Sequence, residues 1–226
     1  MVHYLITLLL APLVAIVTIG IVWKQRGKDR YPGLVSSFFL GAVSILLVLA
    51  FQYISRVYGI DNFTNIRRII FYSFVVMGIG SELGKFLILR YYSFPKGGFN
   101  GPLDSIVYSI VISMGFVFMG NILYFVLPGY TEIDFLYAYT VIPANLVFAI
   151  VLGFFIGMGK SRENKFVDSM TGLFAASFFH ALFNFCFITN DERLLMFFSI
   201  GVLIIVFMLY YKAFEMNEEY KRIKDE

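Results

Sequence analysis

Seven apolar stretches divide the chain, each about as long as a bilayer's hydrocarbon layer is thick. They run over 4–23, 34–54, 69–89, 105–127, 138–158, 170–188 and 194–211; a helix needs roughly 20 apolar residues to cross about 30 Å of hydrocarbon. None shows the two-residue alternation of a barrel strand. Backbone in lipid must satisfy its own hydrogen bonds, so the pattern predicts seven transmembrane helices in an all-α polytopic bundle. Pro12 and Pro143 fall inside spans, where neighbouring helices tolerate them. The first stretch lacks a basic segment before it and a small-residue cleavage site after it, and reads as a retained helix rather than a secretory signal. No soluble domain, linker or internal repeat is evident. Residues 1–226 therefore read as one integral-membrane domain with a short charged tail, 212–226.

Composition agrees. The chain is 59% hydrophobic and 15% charged, with a mean hydropathy of +0.80, against roughly 45–50% and about 25% in soluble domains. A single cysteine, Cys186, excludes an internal disulfide framework and a cysteine-rich metal site. The net charge of +3 is small, and the basic residues form short clusters rather than a groove for nucleic acid. Lys24, Arg26, Lys28, Arg30, Arg90, Lys96, Lys160, Arg162, Lys165, Lys212, Lys221, Arg222 and Lys224 fall on one side of the membrane. Only Arg56, Arg67, Arg68 and Arg193 fall on the other. The positive-inside rule then predicts an outside N-terminus and a cytoplasmic tail.

Two charged residues, Glu82 and Lys85, lie inside the expected spans. A charge near a helix centre costs on the order of 2.5–3.5 kcal/mol on insertion scales, so such residues need a partner or a task. Three apart, they share a face and can neutralise each other, either as a structural pair or as part of a site. Gly80 and Gly84, like Gly153 and Gly157, form small-xxx-small faces suited to close helix packing. His180 sits in the sixth span with Asn184 one turn on, and His is the side chain best suited to proton transfer or metal binding near neutral pH. Asn145 and Asn121 are further intramembrane amides, each readable as helix-to-helix glue. At about 1.5 Å per residue, Asn145, His180 and the residue at 120 lie roughly 10–12 Å below one boundary, and Glu82 about 20 Å below it. Spans three to six can thus bring polar groups towards one cavity, its chemistry left open.

These residues carry a family likeness. Lys28-Asp29-Arg30-Tyr31-Pro32 with Phe38-Phe39-Leu40-Gly41, then Ser81-Glu82-Leu83-Gly84-Lys85-Phe86, are joined by a longer run in the fourth span. That run is Pro102-Leu103-Asp104-Ser105-Ile106-Val107-Tyr108, through Met114-Gly115-Phe116, to Gly120-Asn121-Ile122-Leu123-Tyr124. Ile142-Pro143-Ala144-Asn145 and His180-Ala181-Leu182-Phe183-Asn184-Phe185 complete the set. Together they resemble the PrsW family of bacterial and archaeal intramembrane proteases, relatives of the CAAX prenyl endopeptidase superfamily. The resemblance implies peptide-bond hydrolysis within a prokaryotic plasma membrane, on membrane-anchored regulators such as anti-sigma factors, by glutamates and histidines of four helices, with or without a metal ion. The chain departs from the family's pattern where Ser81 and Gly120 replace Glu and Asn145 replaces His. Glu82, Lys85, Asn121 and His180 are kept, and Asn184 stands where Asp or Asn is expected. One Glu and one His argue against a stable zinc site, since catalytic zinc usually takes three protein ligands.

Three readings follow. In an active peptidase, Glu82 is the general base, His180 the electrophile or oxyanion donor, and Asn145 and Asn184 are supporting amides, with Lys85, Asn121 and Ser81 around them; the substrate is a single-span membrane protein. In a pseudoprotease, the same groove binds a membrane partner without cutting it. In a transporter, the ionisable residues line a solute or ion path, although no inverted repeat supports that.

Overall fold

The computed structural model describes residues 2–29, 31–96, 101–126, 135–160 and 164–225. Arg30, Arg162 and residue 127, the expected end of the fourth span, lie outside the described residues. The described residues contain helices and no strand: α1 (Val2–Arg26), α2 (Leu34–Val43), α3 (Ile45–Val57), α4 (Ile66–Phe71), α5 (Gly80–Leu87), α6 (Pro102–Val126), α7 (Phe135–Met158), α8 (Lys165–Ile188) and α9 (Glu192–Asp225). Seven of the helical stretches are long and apolar enough to cross a membrane, in the order the apolar pattern predicts.

Two spans are not uniform α-helix. The second breaks at Ser44 between α2 and α3, where the Ser44 hydroxyl donates to the Gly41 carbonyl at 2.6 Å. Such back-bonding competes with the helical ladder and bends it. In the third, π-helical turns at Tyr72–Ile79 and Ile88–Ser93 flank α5. These wider turns fit more residues into each turn, which shortens the rise and turns the helix face.

Helices α6, α7 and α8 form the centre, with Tyr108, Ile112 and Met114 of α6 and Phe148, Leu152 and Ile156 of α7 fully buried. Helices α1 and α9 are peripheral. They present Leu9, Leu13 and Ile16, and Leu203, Ile204 and Phe207, outward, as lipid-facing surfaces do. Because lipid is as apolar as leucine, helix association rests on close packing, and glycine supplies it. A Cβ at Gly41 would lie 2.0 Å from the Ile112 carbonyl oxygen, and one at Gly115 1.9 Å from that of Phe38. Gly153 and Gly157 let α7 approach α6, with Cβ positions 2.7 Å from Ile106 Cα and 2.5 Å from Pro102 Cα. Gly84 closes against Ser44, 2.9 Å from its Cβ. The small-xxx-small faces are therefore packing faces.

At one end of the bundle, Arg26 Nη1 donates to Asp104 Oδ1 at 3.2 Å and to Tyr31 Oη at 3.1 Å. The Tyr31 hydroxyl donates to the same Asp104 oxygen. This cluster ties the end of α1 and the following turn to the start of α6. Burial first, then the Asp104 carboxylate, push the Tyr31 hydroxyl's pKa up to about 12.

Candidate intramembrane site

The third span packs against α8, α3 and α6, and its Glu82 and Lys85 are 0% and 1% exposed. Lys85 Nζ donates to Glu82 Oε1 at 2.5 Å, to Asn145 Oδ1 at 3.0 Å and to Ser113 Oγ at 3.5 Å. It also sits 4.7 Å above the Phe116 ring, where the ring's negative face attracts a cation. On the other side, His180 Nδ1 lies 2.7 Å from the same Glu82 oxygen. An ionised carboxylate only accepts, so the imidazole donates through Nδ1, and in its neutral form the free lone pair is on Nε2. The ring is further held by Phe148, stacked at 4.7 Å and 23°.

Beside this cluster is a cavity of about 100 Å³, lined by Ser81, Gly120, Asn121, Asn145 and His180 among apolar residues of α3, α6 and α7 such as Val48, Phe116 and Val141. A space of that size holds several waters, since roughly 10–15 Å³ of such volume admits one. A Cβ at Gly120 would meet only Ile45 Cδ1, at 3.7 Å, so the missing side chain opens this space. His180 turns Nδ1 to Glu82 and is among the residues that border the cavity. Glu82 does not line it.

Glu82, Lys85, Asn145 and His180 come together in one connected cluster, with Ser81 and Asn121 on the adjoining cavity. The depth estimate left Glu82 about 8 Å below His180; the π-helical turns before it account for part of that gap. Three assignments change. Glu82 is not among the residues lining the cavity and lies against His180 Nδ1, which places it as the imidazole's partner. Asn145 gives its oxygen to Lys85 and donates through Nδ2 to the Val141 carbonyl at 2.9 Å, which makes it an anchor rather than an open amide donor. Asn184 Nδ2 donates to the His180 carbonyl at 3.0 Å and is absent from the cavity wall, so it braces its own helix. Asn121 Nδ2 donates to the Thr7 carbonyl at 2.8 Å, joining α6 to α1 beside the cavity. Sequence reading missed Ser113 and Gln52, polar residues within the expected spans that hydrogen bond Asn145 and Met77 respectively. It also missed Phe148, and it named Phe116 only within the fourth-span motif, without its place beside the Lys85 ammonium.

The residues 30–212 match the family model described as PrsW family intramembrane metalloprotease. Among individual relatives, the chain is 28% identical to a protease PrsW of Oceanobacillus iheyensis, over 67% of this chain and 68% of that protein. It is 29% identical to one of Clostridioides difficile, over 66% and 65%, and 26% identical to one of Bacillus subtilis, over 69% of each. The chain thus spans about two thirds of the length of these relatives. No solved structure matches.

Proposed function

Since this chain belongs to the PrsW family of intramembrane metalloproteases, we propose that it is a PrsW-like peptidase scaffold acting on membrane-anchored regulatory proteins, with His180 as its proton-transfer group. One observation carries the reading: the His180 imidazole borders an intramembrane cavity while a buried carboxylate lies at its Nδ1. A base must be oriented before it can act, and a carboxylate on Nδ1 fixes both tautomer and ring direction. Nε2 takes a proton from a cavity water as the water oxygen bonds to the scissile carbonyl carbon. The imidazolium, stabilised by Glu82, then returns that proton to the departing amide nitrogen as the C–N bond breaks. Glu82 is here a positioning residue, and Lys85 balances its charge. The substrate segment is apolar, unwound at the bond cut and single-span, and the bundle lies in a prokaryotic plasma membrane with its N-terminus outside and its tail in the cytoplasm.

Co-reconstitution in liposomes with a panel of single-span reporter proteins tests this reading. His180→Ala should lower turnover by about 10²–10⁴-fold, the usual contribution of a general base. Glu82→Gln/Lys85→Met should lower kcat with KM unchanged, because positioning and not binding is lost. Cleavage indifferent to both changes would remove His180 from the chemistry.

A second reading, a pseudoprotease, is favoured by Ser81, Gly120 and Asn145, which leave the cavity wall without a carboxylate. It is the better account if reporters co-purify with the chain uncut and the combined Ser81→Glu, Gly120→Glu and Asn145→His variant cuts them.

A further inference from the structure

The family's description includes a metal, and the residues here do not fit one. Catalytic zinc takes three protein ligands drawn from imidazole, thiolate and carboxylate. Positions 81, 120, 145 and 180 all face one cavity, yet they carry a hydroxyl, a hydrogen, an amide and one imidazole. Among the described residues, no three His, Cys, Asp or Glu side chains gather as a metal would require.

Two of the hard oxygens beside the cavity are already committed. Glu82 Oε1 and Asn145 Oδ1 both accept from the Lys85 ammonium, so a cation resides among them, and a divalent ion there would meet like charge. Glu82 Oε2 has no protein partner, but it cannot complete a site with His180. The carboxylate approaches the ring at Nδ1, so it and Nε2 address different spaces.

We infer that this chain's site is metal-free, and that positions 81, 120 and 145 retain the placement of a metal site whose donors have been removed. The inference stands whether the chain cuts or only binds its partners. The space at Gly120 supports it directly: a Cβ there meets nothing closer than 3.7 Å, so a longer side chain has a cavity to enter.

Metal content decides it without reference to activity. The full chain in nanodiscs is equilibrated with zinc, freed of excess by gel filtration and analysed for the element. The natural chain and His180→Ala should both carry essentially none, and neither melting temperature should respond to zinc or to a chelator. The Ser81→Glu/Gly120→Glu/Asn145→His variant should carry about one zinc per chain, lost again on adding His180→Ala, with a zinc-dependent rise in melting temperature. Ser81→Glu/Asn145→His, a smaller change, should bind zinc more weakly and serves if the triple variant fails to fold. Stoichiometric zinc in the natural chain, lost in His180→Ala, would overturn the inference. So would a folded triple variant that takes up no zinc.

Discussion

Two charged clusters hold this bundle together, and they differ in what surrounds them. At the end of the bundle, Arg26, Tyr31 and Asp104 join α1 to α6, and the Arg26 side chain is still 30% exposed. Within the membrane, Glu82, Lys85 and His180 join the third span to α6, α7 and α8 with almost no exposure. In the outer cluster Tyr31 and Asp104 are buried as well, each 1% exposed, and only Arg26 keeps access to water as an alternative partner. The inner cluster has no member with such access. Two opposite charges cost a great deal to bring under lipid, and removing either leaves the other uncompensated. The inner cluster is therefore coupled as a unit, and its reward is a fixed imidazole rather than a large gain in stability.

Removing one inner partner should expose this contrast most sharply. Lys85→Met leaves the Glu82 carboxylate buried with only His180 beside it. It should destabilise the bundle by about 3–5 kcal/mol, measured as reversible unfolding by steric trapping in bicelles. The neutral pair Glu82→Gln/Lys85→Met should recover most of that loss, because no charge is left stranded. If the single and double variants are equally unstable, the inner cluster is not coupled through charge. At the outer cluster, Asp104→Asn should cost less, about 1.5–3 kcal/mol, the range for hydrogen bonds to charged groups. With Arg26 30% exposed but Asp104 only 1%, its loss should shrink only in part as salt is raised, whereas that of Lys85→Met should not change.

The smallest effect concerns Tyr31. Its hydroxyl is neutral when it donates to Asp104, and its pKa is raised from 10 to about 12. The stability it contributes is therefore fully present below pH 10 and is lost as pH rises through about 12. Tyr31→Phe should remove that share of the alkaline decline, and a decline of unchanged size would assign it to other groups.

The seven spans were legible because period and length alone separate a membrane helix from everything else in this chain. Their ends were not: the helices run on through polar residues such as Lys24 and Arg26 in α1, where hydropathy stops but hydrogen bonding does not. The Ser44 break and the π-helical turns depend on which neighbour each turn packs against, and no local pattern in 34–54 or 69–89 announces them. At the site, Glu82, Lys85 and His180 were found because lipid makes ionisable residues conspicuous. Their order was not, because one helical step decides whether Glu82 or Ser81 meets the cavity. The asparagines show the same limit. Asn145 and Asn184 have identical side chains in similar spans, yet one anchors an ammonium and the other braces its own backbone.

The central claim is that Glu82 holds the Nδ1–H of His180, so that Nε2 is its free, unprotonated nitrogen. The chain contains only His3 and His180, so ¹⁵N-histidine NMR of the full protein in nanodiscs resolves the question directly, with His180→Ala identifying the signal. The account predicts a single Nδ1–H tautomer for His180 at neutral pH, converted to a mixture in Glu82→Gln/Lys85→Met. A His180 found as the Nε2–H tautomer, or exchanging freely between the two with Glu82 in place, would contradict it.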